Sequence, residues 1–360
     1  MQVLRILTVH LTTLLLLAAC GGPEPISLGV VLPLSGPAGM EVVHQGMEMA
    51  IEEINQTGGI QGRPLQLHVA DTSADDPDII GMMEDMESTH RPLLYFSVLS
   101  SVTQMVSSAA ERFEAPLVGL VATDPSIPID KDWTYVFYPS ARHEVGPIID
   151  IIEQSAVRRV GVMYFDDGYG RSVMREVRVR SQEIDIQIEA IAYDGVATLL
   201  PELLNDADEF QALYVVGFPQ HIGDAVSHLR SVSYNGQILS TSTASIPTLR
   251  QQADMEGVYV AAPLLYNERF LLARDVAAKY FTRYGNEFSH YAANGYDGIK
   301  MITGLLSQIT LERTSVRDVL DGGFIYPSIL GEIRLPRGER SIYFPLYPAR
   351  VDADGLTYLR

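Results

Sequence analysis

A single cysteine, Cys20, stands among 360 residues, so no disulfide can form within the chain and its stability must come from a packed core. Basic residues are also scarce: 26 Lys and Arg face 45 Asp and Glu, a net charge of −19. Nucleic-acid binding needs a basic footprint, and that class is excluded. The negative charge is spread without long like-charge blocks and reads as an acidic, soluble surface. No apolar run is long enough for a comfortable transmembrane helix. Gly and Pro are scattered, no low-complexity linker interrupts the chain, and no repeat of fixed period is evident, so a globular protein is expected.

Enzyme signatures are missing as well. There is no Gly-x-x-x-x-Gly-Lys phosphate loop, no Gly-x-Gly-x-x-Gly after a strand and no Gly-x-Ser-x-Gly nucleophile elbow. The histidines lie apart, and His221 and His228, on one expected helix, do not have the spacing of two ligands to one metal. Asp352-Ala-Asp-Gly355 lacks the bidentate Glu of a calcium loop and reads as a hairpin turn. Asp166-Asp167 precedes a helix, where carboxylates cap and favour the dipole. Catalysis, a cofactor and a metal are therefore not expected.

What is present starts at the N-terminus. Arg5 precedes an apolar stretch that ends in Leu17-Ala-Ala-Cys20, the pattern of an export signal. Leu-Ala-Ala-Cys resembles the bacterial lipobox, after which the cysteine becomes the lipidated first residue. The expectation is a signal peptide over 1–19, a lipid anchor on Cys20, a tether over 20–26 and a folded part outside the membrane.

At this length two domains are the prior. From Ile26 the chain alternates apolar runs with helix-period segments. Strands are expected at 28–34, 65–70, 93–98, 116–121, 160–165, 186–192, 212–218, 238–240 and 258–264. Helices are expected between them, at 43–54, 79–86, from 102, 145–152, from 169, 199–205 and 222–232. Two βαβ series in succession predict an α/β fold with two doubly wound parallel sheets. Long helical stretches follow at 269–284 and 290–309, and the last segment, 324–359, is β-rich. Ligands of such sheets bind outside the strand C-termini, near helix N-termini. Ser100, Thr123 and Tyr169 stand at such positions. A Ser or Thr hydroxyl there can join free backbone N–H groups in holding an anion, or can simply cap the helix; Tyr169 can serve a ligand or pack a turn.

The stretches Pro33-Leu-Ser-Gly-Pro37, Ile54-Asn-Gln-Thr-Gly-Gly-Ile-Gln-Gly62 and Leu99-Ser-Ser-Val-Thr-Gln104 now carry a resemblance. They continue with Ala122-Thr-Asp-Pro125, Gly168-Tyr-Gly170 and Tyr291-Ala-Ala-Asn-Gly-Tyr-Asp297. In order and spacing the chain resembles the type I periplasmic binding proteins, in particular the branched-chain amino acid (leucine/isoleucine/valine) binding group of ABC transporters. The resemblance implies two Rossmann-like lobes joined by a three-strand hinge, with a ligand closed between them. Lobe 1 would comprise 27–140 and 266–327, and lobe 2 would comprise 141–265 and 328–360. Ser100 and Thr123, with the backbone of Val121 and Ala122, match the residues that hold a ligand carboxylate. Tyr169 and Tyr291 match pocket aromatics. Two positions depart: the acid that would meet a ligand ammonium falls at Ser242, and a second-lobe tyrosine falls at Phe218. The loop after Gly36 is also shorter and lacks a pocket aromatic. A buried ammonium without a carboxylate is costly, so either Asp124, Asp166 or Asp167 supplies the charge, or the ligand has no α-ammonium.

The function implied is a monomeric, lipid-anchored solute-binding protein of the cell envelope. It would capture a small carboxylate-bearing ligand, an amino acid or a related organic acid, and deliver it to ABC permease subunits. A binding protein that feeds a signalling receptor remains the alternative. A non-ligand envelope regulator would need no pocket, and Ser100, Thr123 and Tyr169 count against it.

Overall fold

The computed structural model describes residues 23–36, 38–155, 157–193 and 209–359. The signal segment, Cys20 and the helix expected at 199–205 lie outside the described residues. None of the described helices is long and apolar enough to cross a membrane.

The first series runs β1 (Ile26–Leu32), α1 (Glu41–Gln56), β2 (Leu65–Asp71), α2 (Ile79–His90), β3 (Leu94–Val98), α3 (Ser100–Phe113), β4 (Leu117–Leu120) and β5 (Thr134–Phe137). β3, β4 and β5 are buried throughout, and for the first two the apolar runs at 93–98 and 116–121 predict strands covered on both faces. The second series runs α4 (Ala141–Gln154), β6 (Arg159–Phe165), α5 (Gly168–Glu183), β7 (Gln187–Tyr193), β8 (Ala212–Val216), α6 (Pro219–Ser231), β9 (Gln237–Ser240) and β10 (Tyr259–Pro263). Then come α7 (Leu271–Tyr284), α8 (His290–Leu306), α9 (Arg313–Asp321), β11 (Phe324–Ser328), β12 (Gly331–Leu335), β13 (Ser341–Ile342), β14 (Leu346–Asp352) and β15 (Gly355–Tyr358).

The strands form two large sheets, in the orders β13-β5-β4-β3-β1-β2 and β15-β14-β10-β9-β8-β6-β7. All pairings of the first are parallel. The second is parallel from β10 to β7 and antiparallel at β14 and β15, which close through the hairpin expected at Asp352–Gly355. Two lobes, each a twisted sheet with helices, follow from this topology.

The chain passes between the sheets three times: after Phe137, after Pro263, and between Ile342 and Leu346. The last passage corrects the expected boundary at 328. β13 pairs with β5 in the first sheet. The β11–β12 hairpin is tied to α8, because the Asp297 carboxylate accepts the Ser328 hydroxyl and the Ile329 N–H.

The close seating of α8 on α1 depends on two glycines. A Cβ on Gly46 of α1 would lie 2.0 Å from the Ala292 carbonyl oxygen, and one on Gly295 of α8 would lie 2.2 Å from that of Val43. The α1 and α8 backbones therefore touch, and only glycine permits the approach. Asn294 fixes the same helix to the strand ends, donating to the Phe137 carbonyl and accepting the Val121 N–H.

Candidate functional site

β3 and β4 lie side by side, and both end in unusual backbone. Leu99 has φ 78° and Val121 has φ 49°, regions that side-chain-bearing residues rarely occupy. These two turns set the first wall of the cleft. Ser100 follows Leu99 as the first residue of α3, and Leu99 offers no capping side chain. The Ser100 Oγ does not cap its helix either. It accepts the N–H of Thr123 at 3.0 Å and, more weakly, that of Asp124 at 3.4 Å. With its lone pairs taken, the Ser100 hydroxyl can only donate, either to Thr123 Oγ1 at 3.5 Å or into the cleft. The positive end of α3 adds to this donor set, which suits an anion.

The opposite wall belongs to the second lobe. Tyr169 and Asp167 come from the start of α5, Gly217 and Phe218 from the turn before α6, Thr243 from the 3₁₀ turn Ser242–Ser245, and Glu144 from the first turn of α4. Tyr138, in the first crossing, and Tyr291, in the first turn of α8, complete the lining with Met40 and Leu99. The cavity between these side chains has a volume of about 40 Å³. The site is thus a narrow cleft built from both lobes.

Ser100, Val121, Thr123, Tyr169, Phe218 and Tyr291 all line the cleft. Ala122 does not: it is buried behind the wall against Ile127 and Val136. Ser242 does not either. Only 1% exposed, it lies behind Glu144, to which its hydroxyl donates, and 3.3 Å from the Tyr138 hydroxyl. Its neighbour Thr243 reaches the cleft instead and bonds the Tyr291 hydroxyl at 2.9 Å.

Glu144 is the residue that sequence reasoning missed. It is 1% exposed, and it accepts the Tyr169 hydroxyl at 2.9 Å as well as Ser242. Burial pushes its pKa up, and the two hydroxyl donors pull part of the way back. In the sequence it stands just before the helix expected at 145–152, where an acid is favoured by the dipole and ordinarily solvated. Nothing local marks it as buried. The acids named as substitutes do other work: Asp166 pairs with Arg171 at 2.9 Å and Asp124 holds Ser126. Asp167 lines the cleft but caps α5, accepting the Gly170 N–H at 2.8 Å. Burial raises the pKa of Tyr138, Tyr169 and Tyr291, so these phenols stay neutral donors. Among the described residues no group of three His, Cys, Asp or Glu is placed to hold a metal ion.

A profile of the periplasmic binding protein family matches residues 25–356. The "Leu/Ile/Val-binding protein homolog 7" of Brucella suis biovar 1 is 26% identical over 219 residues, 55% of this chain and 54% of that protein. The chain thus matches about half the length of such curated relatives. Among solved structures, the branched-chain amino acid transporter substrate-binding protein LivJ of Streptococcus pneumoniae, in complex with isoleucine, superposes with a TM-score of 0.81. Its identity is 16%, with 93% of this chain and 99% of that one covered. A solute-binding protein of an ABC transporter from Rhodopseudomonas palustris BisB5, in complex with 3,4-dihydroxybenzoic acid, gives a TM-score of 0.82. It is 15% identical, with 93% and 95% covered. At such identities these two likenesses speak for the fold, while the profile match speaks for the family. This chain belongs to the periplasmic binding protein family, in the type I group that includes the leucine/isoleucine/valine-binding proteins.

Proposed function

We propose that the protein is an extracytoplasmic solute-binding component of an ABC transporter, held at a membrane by a lipid on Cys20. It captures a small carboxylate-bearing ligand between its lobes and delivers it to permease subunits. The observation that carries this reading is the donor set at the ends of β3 and β4. There the Ser100 and Thr123 hydroxyls and the start of α3 face a cleft whose other wall comes from the second lobe. Among the described residues no basic side chain lines that cleft, so an anion held there would rest on neutral donors and a helix end. Val121, Tyr169, Phe218 and Tyr291 supply the rest of the contact surface, and Ala122 and Ser242 support it from behind. The test is a calorimetric screen of L-amino acids against small monocarboxylates; silence from both classes would overturn carboxylate capture. Anchoring is tested separately, by Cys20→Ser, which should move the protein from the membrane fraction to the soluble envelope fraction.

A further inference from the structure

The side chains of Arg250 and Arg313 are each only 13% exposed, yet they are partnered very differently. Arg313 donates to both Glu87 oxygens and to the Pro92 and Phe113 carbonyls. Arg250, at the end of the helical turn Pro247–Arg250, makes a single hydrogen bond among the described residues, from Nη1 to the Ser245 carbonyl at 2.7 Å. Its Nη2 lies 3.5 Å from the Glu287 carboxylate, long for a hydrogen bond. That carboxylate is half exposed and already accepts the Gln251 amide at 2.6 Å. The guanidinium lies over the Tyr266 ring, its carbon 4.4 Å from the ring centre, which fixes its plane and leaves its edge free. A guanidinium carries five N–H donors in a rigid fork, and most of those on Arg250 have no protein acceptor among the described residues.

Arg250 and Tyr266 line a cavity of about 590 Å³ outside the interlobe cleft, beside the second passage of chain between the lobes. Its other walls are largely apolar: Phe270, Phe288, and Ala277 and Phe281 on one side of α7. Phe281 is 56% exposed, a large ring that the protein itself leaves uncovered. Arg274 also lines the cavity, and Glu268 and Glu287 offset the two arginines, so the walls are neutral in formal charge within a chain of −19.

The geometry points to a second ligand site at the hinge. The cavity takes a small carboxylate with a flat apolar body, its carboxylate on the Arg250 guanidinium and its body against Phe270, Phe281 and Phe288. The fork of an arginine matches a carboxylate with two parallel hydrogen bonds, and the stacked ring of Tyr266 holds it ready for that partner. A neutral ligand would leave those donors unspent, and a doubly charged phosphate would face Glu268 and Glu287 across neutral walls. The site is separate from the Ser100–Thr123 cradle and does not rest on carboxylate capture there.

The experiment is calorimetry on the full chain in lipid nanodiscs, because detergent would compete for an apolar cavity, with empty nanodiscs as the blank. The probes are 2-naphthoate and its uncharged isostere 2-naphthamide. The wild type should bind naphthoate at least about 10-fold more tightly than naphthamide, the scale of a hydrogen bond to a charged group. Arg250→Gln should bring naphthoate down to the naphthamide level. Arg250 also supports the 3₁₀ turn through Ser245, so a second variant leaves it in place: Ala277→Trp fills the cavity from α7 and should abolish binding of both probes. Naphthoate binding that survives Ala277→Trp would put the probe elsewhere and overturn the inference. Equal affinity for the two probes, or no binding of naphthoate at all, would overturn it too. None of these outcomes touches the reading of the interlobe cleft, which its own ligand screen decides.

Discussion

Ser100 shows how a residue's role depends on what its neighbours leave it. Two backbone N–H groups occupy its oxygen, so its hydroxyl must donate, and Thr123 stands beside it as a second donor. Thr123→Val keeps the shape and removes that donor. Ligand affinity should fall by about 1.5–3 kcal/mol, the scale of a hydrogen bond to a charged group. An unchanged Kd would take Thr123 out of the cradle. Asp297 is a second buried acid with a different role. Burial pushes its pKa up from 3.8 to about 7 against the pull of Ser328 and the Ile329 N–H. A folded value above the unfolded one means that its contribution to stability is full below 3.8 and is lost as the pH rises through about 7. Asp297→Asn should therefore flatten the stability loss between pH 4 and 8. The difference is a few kcal/mol at most, at about 1.4 kcal/mol per pH unit. Urea unfolding at several pH values measures it, and parallel curves for the two proteins would contradict the assignment. The Ser100 and Thr123 positions were visible in the sequence because a hydroxyl at a strand-to-helix junction is a local pattern. Glu144 was not, because its burial depends on Ser242, 98 residues away.

Elements follow the periodicity of the sequence closely where an apolar face is wide. β1 to β4 and β6 to β10 fall within a few residues of the expected runs, since unbroken apolar segments require cover on both faces. α9 escaped because its buried side is narrow, with Val316 and Leu320 alone inside. Its position is fixed by polar contacts at its start. There Arg313 reaches the Glu87 carboxylate at 2.6 Å and the Pro92 and Phe113 carbonyls, partners that no helical period reveals. α8 is the element on which the cleft depends most, since it carries Tyr291 and its Asn294 ties down the β4 turn. Gly295→Ala should push α8 off α1, because the added Cβ would meet the Val43 carbonyl at 2.2 Å. The expected cost is about 1–3 kcal/mol of stability, with weaker ligand binding through the displaced Tyr291. Thermal unfolding and calorimetry on the same variant test both halves, and a wild-type melting temperature would show that the contact gives way freely.

At the scale of the whole molecule, the bonds between the lobes decide the state. Thr243 meets Tyr291, Ser242 meets Tyr138, and Arg175 of α5 lies 3.7 Å from Asp124. Arg175 is mostly exposed, so that pair contributes little in salt, and the buried hydroxyl pairs hold the cleft narrow. Three passages of chain form the hinge. A ligand that bridges the walls should shift the population toward closure. Small-angle scattering is expected to show a smaller radius of gyration at saturating ligand than without it; superimposable profiles would count against a hinged trap.

The sequence by itself determined the alternation of strands and helices, the two-lobed α/β class, the hydroxyls at the ends of β3 and β4, and the expectation of a lipid anchor on Cys20. These rest on neighbours within a few positions, where side-chain period and cap chemistry act. Tertiary structure alone decided that β13 stays with the first sheet, that Thr243 rather than Ser242 reaches the cleft, and that a buried carboxylate, Glu144, faces the donors across it. Each is set by which distant segments exclude water from one another, and that is a property of the packed lobes rather than of any local stretch.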